Sequence, residues 1–328
     1  MSRKMKNSYY LVFFVSMLVN VACKATTLPT NHFVAYVTNQ GEDTVSVIDT
    51  EKNVVTKTIA VGKAPVGVAV SNKLQRVYVS NVESQDISVI DAKTNSVIDT
   101  IKIKGSPVGM ALSPDSKILY AADWFDNRVL AISTDANHSM REVKVGDAPA
   151  GLLVSPDNKW LYVANRDTND VALIDTKTLT IKKRIAVGKH PFGISLSANG
   201  KLLVAVNVKE DTVSIVDLKS KQQQKVKVGY HPYCAVISTN GKTLYVTNTQ
   251  DDSISVIDML TRKIITSIDV GSTPEGISLD EVNKRIYVAN WGSNNVSVIN
   301  SRTNKLLTTI KTGEKSRAFG QFILKTSN

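Results

Sequence analysis

Apolar and polar residues alternate along most of this chain in short runs, and turn residues separate the runs. In Thr44-Val45-Ser46-Val47-Ile48-Asp49 and Ser253-Ile254-Ser255-Val256-Ile257-Asp258 the alternation is that of strands. Residues 155–159, Ser-Pro-Asp-Asn-Lys, and 176–178, Thr-Lys-Thr, fall between such runs and suit tight turns. The stretch from Pro149 therefore reads as four strands, at 149–154, 160–165, 171–175 and 181–187, after which Gly188 leads to Pro191 and a new unit. Few stretches fit a helix.

This unit recurs. A Tyr-Val-x-Asn signature places an asparagine at Asn39, Asn81, Asn165, Asn207, Asn248 and Asn290, with Asp123 in the same series, at spacings of 42 residues and once 41. Prolines keep the same interval at Pro65, Pro107, Pro149, Pro191, Pro232 and Pro274, and Ser316 takes the seventh slot. Seven four-strand units of this length predict an all-β fold, a seven-bladed β-propeller spanning residues 32–325. The first unit begins at its second strand, Phe33 to Thr38, whereas Arg317 to Leu324 is an inner strand without a blade. The C-terminal strand is therefore expected to join three N-terminal strands and close the ring, so that deletion beyond Ser316 destabilises every blade. Two residues after each proline stands Gly67, Gly109, Gly151, Gly193 or Gly276, replaced by Cys234 and Ala318 in two units. Inner strands crowd the axis, which accounts for small residues there and makes Cys234 a packing residue.

Tyr36-Val37-Thr38-Asn39, Tyr245-Val246-Thr247-Asn248 and the Val-Ser-Val-Ile-Asp runs at 45–49 and 254–258 resemble the YVTN family of seven-bladed propellers. The resemblance covers about residues 33–324. It implies the fold and an exported bacterial or archaeal protein of the surface or periplasm. Related propellers include quinoprotein dehydrogenase subunits and haem-handling proteins. The resemblance transfers no catalytic residue.

The first residues are a separate element. Arg3, Lys4 and Lys6 precede an apolar stretch from Tyr9 to Ala22, the layout of a signal peptide over residues 1–25. Val19-Asn20-Val21-Ala22-Cys23 is similar to a lipobox, which would make Cys23 the lipidated N-terminus and its lipid the only membrane attachment; Asn20 departs from that pattern, and cleavage just beyond, as after Ala25, is the alternative. Either route takes the chain out of the cytoplasm, to the periplasm or the envelope. The second cysteine, Cys234, then has no partner, and ring closure and a packed core must supply the stability.

The formal charge of +11 falls to +8 without Arg3, Lys4 and Lys6. Basic proteins invite a nucleic-acid reading. Here many lysines (Lys57, Lys102, Lys144, Lys182, Lys225, Lys263 and Lys311 among them) sit in fourth strands, where lysine protects an outer edge. No aromatic and arginine interleaving suited to stacking bases appears, which argues against nucleic acid.

Chemistry is expected where the units differ around the channel mouth. Before the prolines stand Ala64, Ser106, Ala148, His190, His231, Thr273 and Lys315; after them Val66, Val108, Ala150, Phe192, Tyr233, Glu275 and Arg317. His190, His231 and Glu275 are a candidate two-histidine, one-carboxylate site for a divalent metal ion. Two inherited loop histidines, and Phe192 and Tyr233 as a channel plug, are the plainer alternative. Trp124 and Trp291 follow the anchor residues and could stack a flat ligand, a sugar or a partner, while Arg166 and Arg317 could hold an anion. The candidate ligand-binding set is thus Trp124, Arg166, Phe192, Tyr233, Trp291 and Arg317. No phosphate loop, Gly-x-Ser-x-Gly elbow or Cys-x-x-Cys-His sequence appears. The leading expectation is a monomeric, non-enzymatic scaffold that binds a small ligand, a metal centre or an envelope protein on this face. The alternatives are a redox or cofactor-handling protein and a surface adhesin for anionic polymers.

Overall fold

The computed structural model describes residues 32–326. They form seven antiparallel sheets, the blades of a propeller. Blade 4 shows the plan: inner strand Pro149–Val154, then Trp160–Asn165, Asp170–Asp175 and the outer strand Thr180–Ala186. The burial pattern follows the alternation. Second and third strands are buried almost throughout, sandwiched between blades, while outer strands are exposed except at one position near their end. The leader expected over residues 1–25, with Cys23, lies outside the described residues.

The signature residues tie blades together. Tyr36 is fully buried and its hydroxyl donates to Asn95 Oδ1 of blade 2 at 2.7 Å, while Tyr287 of blade 7 reaches Thr50 O of blade 1 at 3.1 Å. The anchor asparagine works within its own blade. In blade 5 Asn207 Nδ2 donates to Thr212 Oγ1 and Ser214 Oγ, and its Oδ1 accepts the Gly188 amide at 3.0 Å. Where Asp123 replaces asparagine, Arg128 Nε approaches its carboxylate at 2.9 Å and balances the added charge.

The glycine slot has the predicted cause. A Cβ on Gly109 would lie 2.1 Å from the Ala150 carbonyl oxygen, and one on Gly151 would lie 2.4 Å from that of Phe192, so each inner strand presses on the next.

Ring closure is more elaborate than one strand added to three. Ser316–Arg317 and Ile323–Lys325 both pair with Phe33–Asn39, as expected. Between them Phe319–Gly320 leaves that edge and pairs in parallel with Gly67 and Val68 of blade 2. Gly320 has φ +117°, a conformation that favours glycine, and the excursion drives the Phe319 ring into the channel.

Candidate functional site: a closed channel mouth

The loops leading into inner strands and the turns between second and third strands share one face, here the loop face. A repeated hydrogen-bond pair builds it. The residue after each anchor donates its amide to the residue before each proline: Val82 to Ala64, Trp124 to Ser106, Arg166 to Ala148, Val208 to His190, Thr249 to His231, Trp291 to Thr273 and Gln40 to Lys315. Except at Ser106, whose amide donates to Asp123 of its own blade, a turn side chain of the preceding blade holds the amide at this position, as Asn169 Oδ1 does for His190 and Asp211 Oδ1 for His231. All of these residues but Ser106 sit in the left-handed region, at φ 53° for both histidines.

Residues after the prolines converge on the axis and fill it. The Phe192 ring lies 4.2 Å from Tyr233, 4.9 Å from Phe319 and 5.9 Å from Trp124, between centroids. Tyr233 Oη accepts from Arg317 Nη2 at 2.7 Å, and Arg317 Nε donates to Glu275 Oε2. Arg317 Nη1 and Trp291 Nε1 both donate to Gln40 Oε1 at 3.2 Å. One line of contacts, Trp124–Phe192–Tyr233–Arg317–Gln40–Trp291, thus crosses the mouth from blade 3 to blade 7. Each tryptophan carries a cation: Arg166 lies 5.7 Å from the Trp124 ring and Lys315 5.4 Å from that of Trp291.

Burial sets the electrostatics. The Glu275 carboxyl is raised above the usual carboxylate range because desolvation outweighs the opposing pull of Arg317. Arg317 is also penalised by burial, yet Tyr233 and Glu275 more than compensate and hold its charge. The Tyr233 hydroxyl and Cys234 thiol are pushed up, in both cases mainly by burial, so neither ionises near neutrality.

All six residues of the candidate ligand-binding set, Trp124, Arg166, Phe192, Tyr233, Trp291 and Arg317, fall along this line or directly on it. They are brought together as a plug, with the arginine fork already filled by protein partners.

The three residues of the metal expectation each take another partner. Glu275 is occupied by Arg317, His231 Nδ1 lies 2.9 Å from Thr249 Oγ1, and His190 Nε2 faces Asp167 at 3.9 Å. Among the described residues no group of three or more histidine, cysteine, aspartate or glutamate side chains could hold a metal ion. The two histidines match because the left-handed turn repeats, and their rings turn toward different loops. Burial, followed by the charge of Arg166, holds His190 below the ordinary histidine range.

The plug leaves a cavity of about 680 Å³ below it, opening on the opposite face. Phe319 floors it, and inner-strand residues such as Leu112, Val154, Leu196 and Cys234 line it. Phe319 was not foreseen as a site residue. Its signal is the Phe319-Gly320 pair, where other repeats place an aliphatic residue and no glycine, as in Met110-Ala111 and Ile194-Ser195. Phe125, 75% exposed beside Trp124, and Tyr230, 60% exposed beside His231, were also missed.

The chain matches the sequence model of the YNCE-like beta-propeller family over residues 7–326. It belongs to that family. This agrees with the propeller type that the Tyr-Val-x-Asn repeats resemble. No protein of curated function matches the chain. Among solved structures, this YNCE-like propeller is similar to the hydrazine synthase of Kuenenia stuttgartiensis, with 23% identity, TM-score 0.73, and coverage of 81% of this chain and 91% of that one. A functionally unknown protein from Desulfotomaculum acetoxidans gives 15% identity and TM-score 0.78, with 91% and 100% covered. The dihydro-heme d1 dehydrogenase NirN gives 15% identity and TM-score 0.65, and here the match takes in 86% of this chain and 63% of that one. At these identities the likeness shows the fold.

Proposed function

We propose that this chain is an exported, non-enzymatic scaffold that docks a partner protein of the cell envelope on its loop face. The observation that carries the reading is the closed mouth. With the axis filled by Phe192, Tyr233 and Phe319, the loop face presents an aromatic floor across the channel mouth. Trp124, Phe125, Tyr230 and Trp291 stand on that floor beside Arg166 and Lys315. Tryptophan, tyrosine and arginine are the residues that dominate protein–protein hot spots, and exposed aromatic rings are costly unless something covers them. A preformed floor also keeps the ordering cost of binding low. Export rests on the leader-like residues 1–25 and on the YVTN resemblance.

A redox or cofactor-handling role is the second reading. It draws on the hydrazine synthase and the dihydro-heme d1 dehydrogenase, which share the fold. The Glu275–Arg317 pairing weighs against it at the mouth.

The test places a photoreactive amino acid at Phe125, at Tyr230 and, as a rim control, at Lys182 in the native host. The expected result is the same adduct from both loop-face positions, absent from the control and lost when Trp124→Ala and Trp291→Ala are added. No adduct, or equal adducts at Lys182, would overturn the docking reading. Stoichiometric metal or a visible chromophore in the purified protein would favour the cofactor reading instead.

A further inference from the structure

Exposed aliphatic side chains are not scattered around the outer strands. They concentrate where the outer strands leave the turns of the face opposite the loops, and only in part of the ring. Blade 6, with outer strand Lys263–Asp269, exposes Ile264 and Ile265; blade 7, with Lys305–Lys311, exposes Leu306 and Leu307. Blade 1, with Val54–Ala60, exposes Val54, and blade 2, with Ser96–Lys102, exposes Ile98. Leu260, on the turn before the blade 6 strand, is 91% exposed. At the position shared by Ile98, Ile265 and Leu307, blade 3 also exposes Met140, whereas blades 4 and 5 hold Lys182 and Gln224. Blades 6, 7, 1 and 2 are consecutive around the ring, and their outer strands contact one another in series. The result is a continuous apolar arc on one side of one face, which a soluble surface does not ordinarily carry.

Charge says what would cover it. Lys52, Lys93, Arg262, Lys263, Arg302 and Lys305 lie on the same turns and strand starts as the aliphatic residues. The acids of the arc stay charged but are engaged within the fold: Asp91 and Asp258 accept turn amides, Asp49 does so and pairs with Lys52, and Asp99 meets His138 at 2.7 Å. Glu51 remains, 3.8 Å from His32. A second copy of this chain would set these cations against one another across a twofold interface. An anionic bilayer accepts both components, aliphatic tips among the acyl chains and lysine or arginine at the phosphates. The chain enters the ring at His32–Phe33, where Thr50 N donates to Phe33 O, on this face and in blade 1, inside the arc. A lipid at Cys23, which the sequence suggests, would be joined to the ring there.

We infer that the arc over blades 6, 7, 1 and 2 is a docking surface for anionic lipid membrane. It is independent of the loop-face reading and leaves that face directed away from the bilayer. Every strand among the described residues, including those that close the ring, lies between Phe33 and Lys325, so a propeller beginning at His32 can be tested without the apolar leader. Co-sedimentation with phosphatidylcholine vesicles containing phosphatidylglycerol is expected, with weaker binding to phosphatidylcholine alone. The Leu260→Ser/Ile265→Ser/Leu307→Ser variant alters exposed positions and should keep its circular dichroism while binding falls about tenfold or more. Phe125→Ser, on the loop face, should bind as the parent does. No binding by the parent, or equal binding by the triple variant, would overturn the inference. A concentration-dependent dimer abolished by the triple substitution, without vesicle binding, would assign the arc to self-association and also overturn it.

Discussion

The carboxylate of Glu275 and the guanidinium of Arg317 fill the same slot in successive repeats, 42 residues apart, and meet as a buried ion pair at the channel mouth. Because inner strands of neighbouring blades are adjacent at the axis, two repeats need only diverge at one slot to create such a pair. Arg317→Leu would leave Glu275 unpaired in a desolvated site, at a cost of about 3–5 kcal/mol. Replacing both residues by leucine should recover most of that loss, since neither charge then has to be desolvated. Urea unfolding of the single and double variants checks this. A double variant as unstable as Arg317→Leu would show that the pair matters through its shape and not its charge.

The inner-strand glycines make a sharper steric prediction. Gly151→Ala puts a methyl group 2.4 Å from the Phe192 carbonyl oxygen, a backbone atom that cannot move without shifting the next blade. A destabilisation of about 1–3 kcal/mol is expected, the usual cost of overpacking. Cys234 already occupies this slot, so Cys234→Ala, which removes only a sulfur, should cost less. Chemical denaturation of the two variants gives the comparison, and equal losses would refute the crowding account.

The fold was legible because its determinants repeat: Tyr36, Asn39 and Pro65 each recur at one interval, and any one series sets the register of the others. The plug was only half legible. Phe192 and Tyr233 were visible as departures from Val66 and Ala150 in the same slot, and a plug was one of two readings open for them. Their joining to Trp124, Gln40 and Trp291 depends on how far side chains reach across a closed ring, which linear spacing does not encode. The candidate metal set meets the same limit: His190 and His231 share a backbone turn, but their rings follow local partners, Asp167 and Thr249. Phe319 lies in the last segment, where the chain leaves the repeat pattern, and there a periodic reading has no template.

The turn aspartates set the acid limit of stability. Asp91, Asp175, Asp217 and Asp258 are held below the ordinary range, first of all by backbone amides of their own turns: those of Thr94, Thr178, Ser220 and Thr261. A folded-state value below the unfolded one, about 3.9, gives stability that is complete above that pH and is lost as pH falls through the folded value. Glu275 acts in the opposite sense, since its raised value gives stability that is lost as pH rises through it. Asp49, Asp99, Asp115, Asp157 and Glu210 are lowered as well, so with Glu275 alone in the opposite sense stability should fall below about pH 4. The urea midpoint measured against pH in a variant with Asp91, Asp175, Asp217 and Asp258 changed to asparagine should show a flatter acid limb. An unchanged limb would mean that other carboxylates control it.

The last prediction concerns Phe319, the residue by which the C-terminal segment both closes the ring and blocks it. Its ring packs on Phe192 and Tyr233, and its backbone pairs with Gly67 of blade 2, so the segment bridges blades 1, 2, 5 and 6. Phe319→Ala removes the ring and keeps the backbone pairing, and should cost about 3–5 kcal/mol. Deleting everything after Gly313 removes both, together with the strands that pair with Phe33–Asn39. That truncation should therefore abolish cooperative unfolding of the whole ring and not of one blade, because every blade depends on closure. Cys234 lines the channel just below the plug and supplies an independent readout. Its modification by a neutral thiol reagent should be faster in Phe319→Ala than in the parent at the same pH, because the cavity then opens toward both faces. An unchanged rate alongside lost stability would mean that Phe192 and Tyr233 seal the channel without it, leaving Phe319 a closure residue alone.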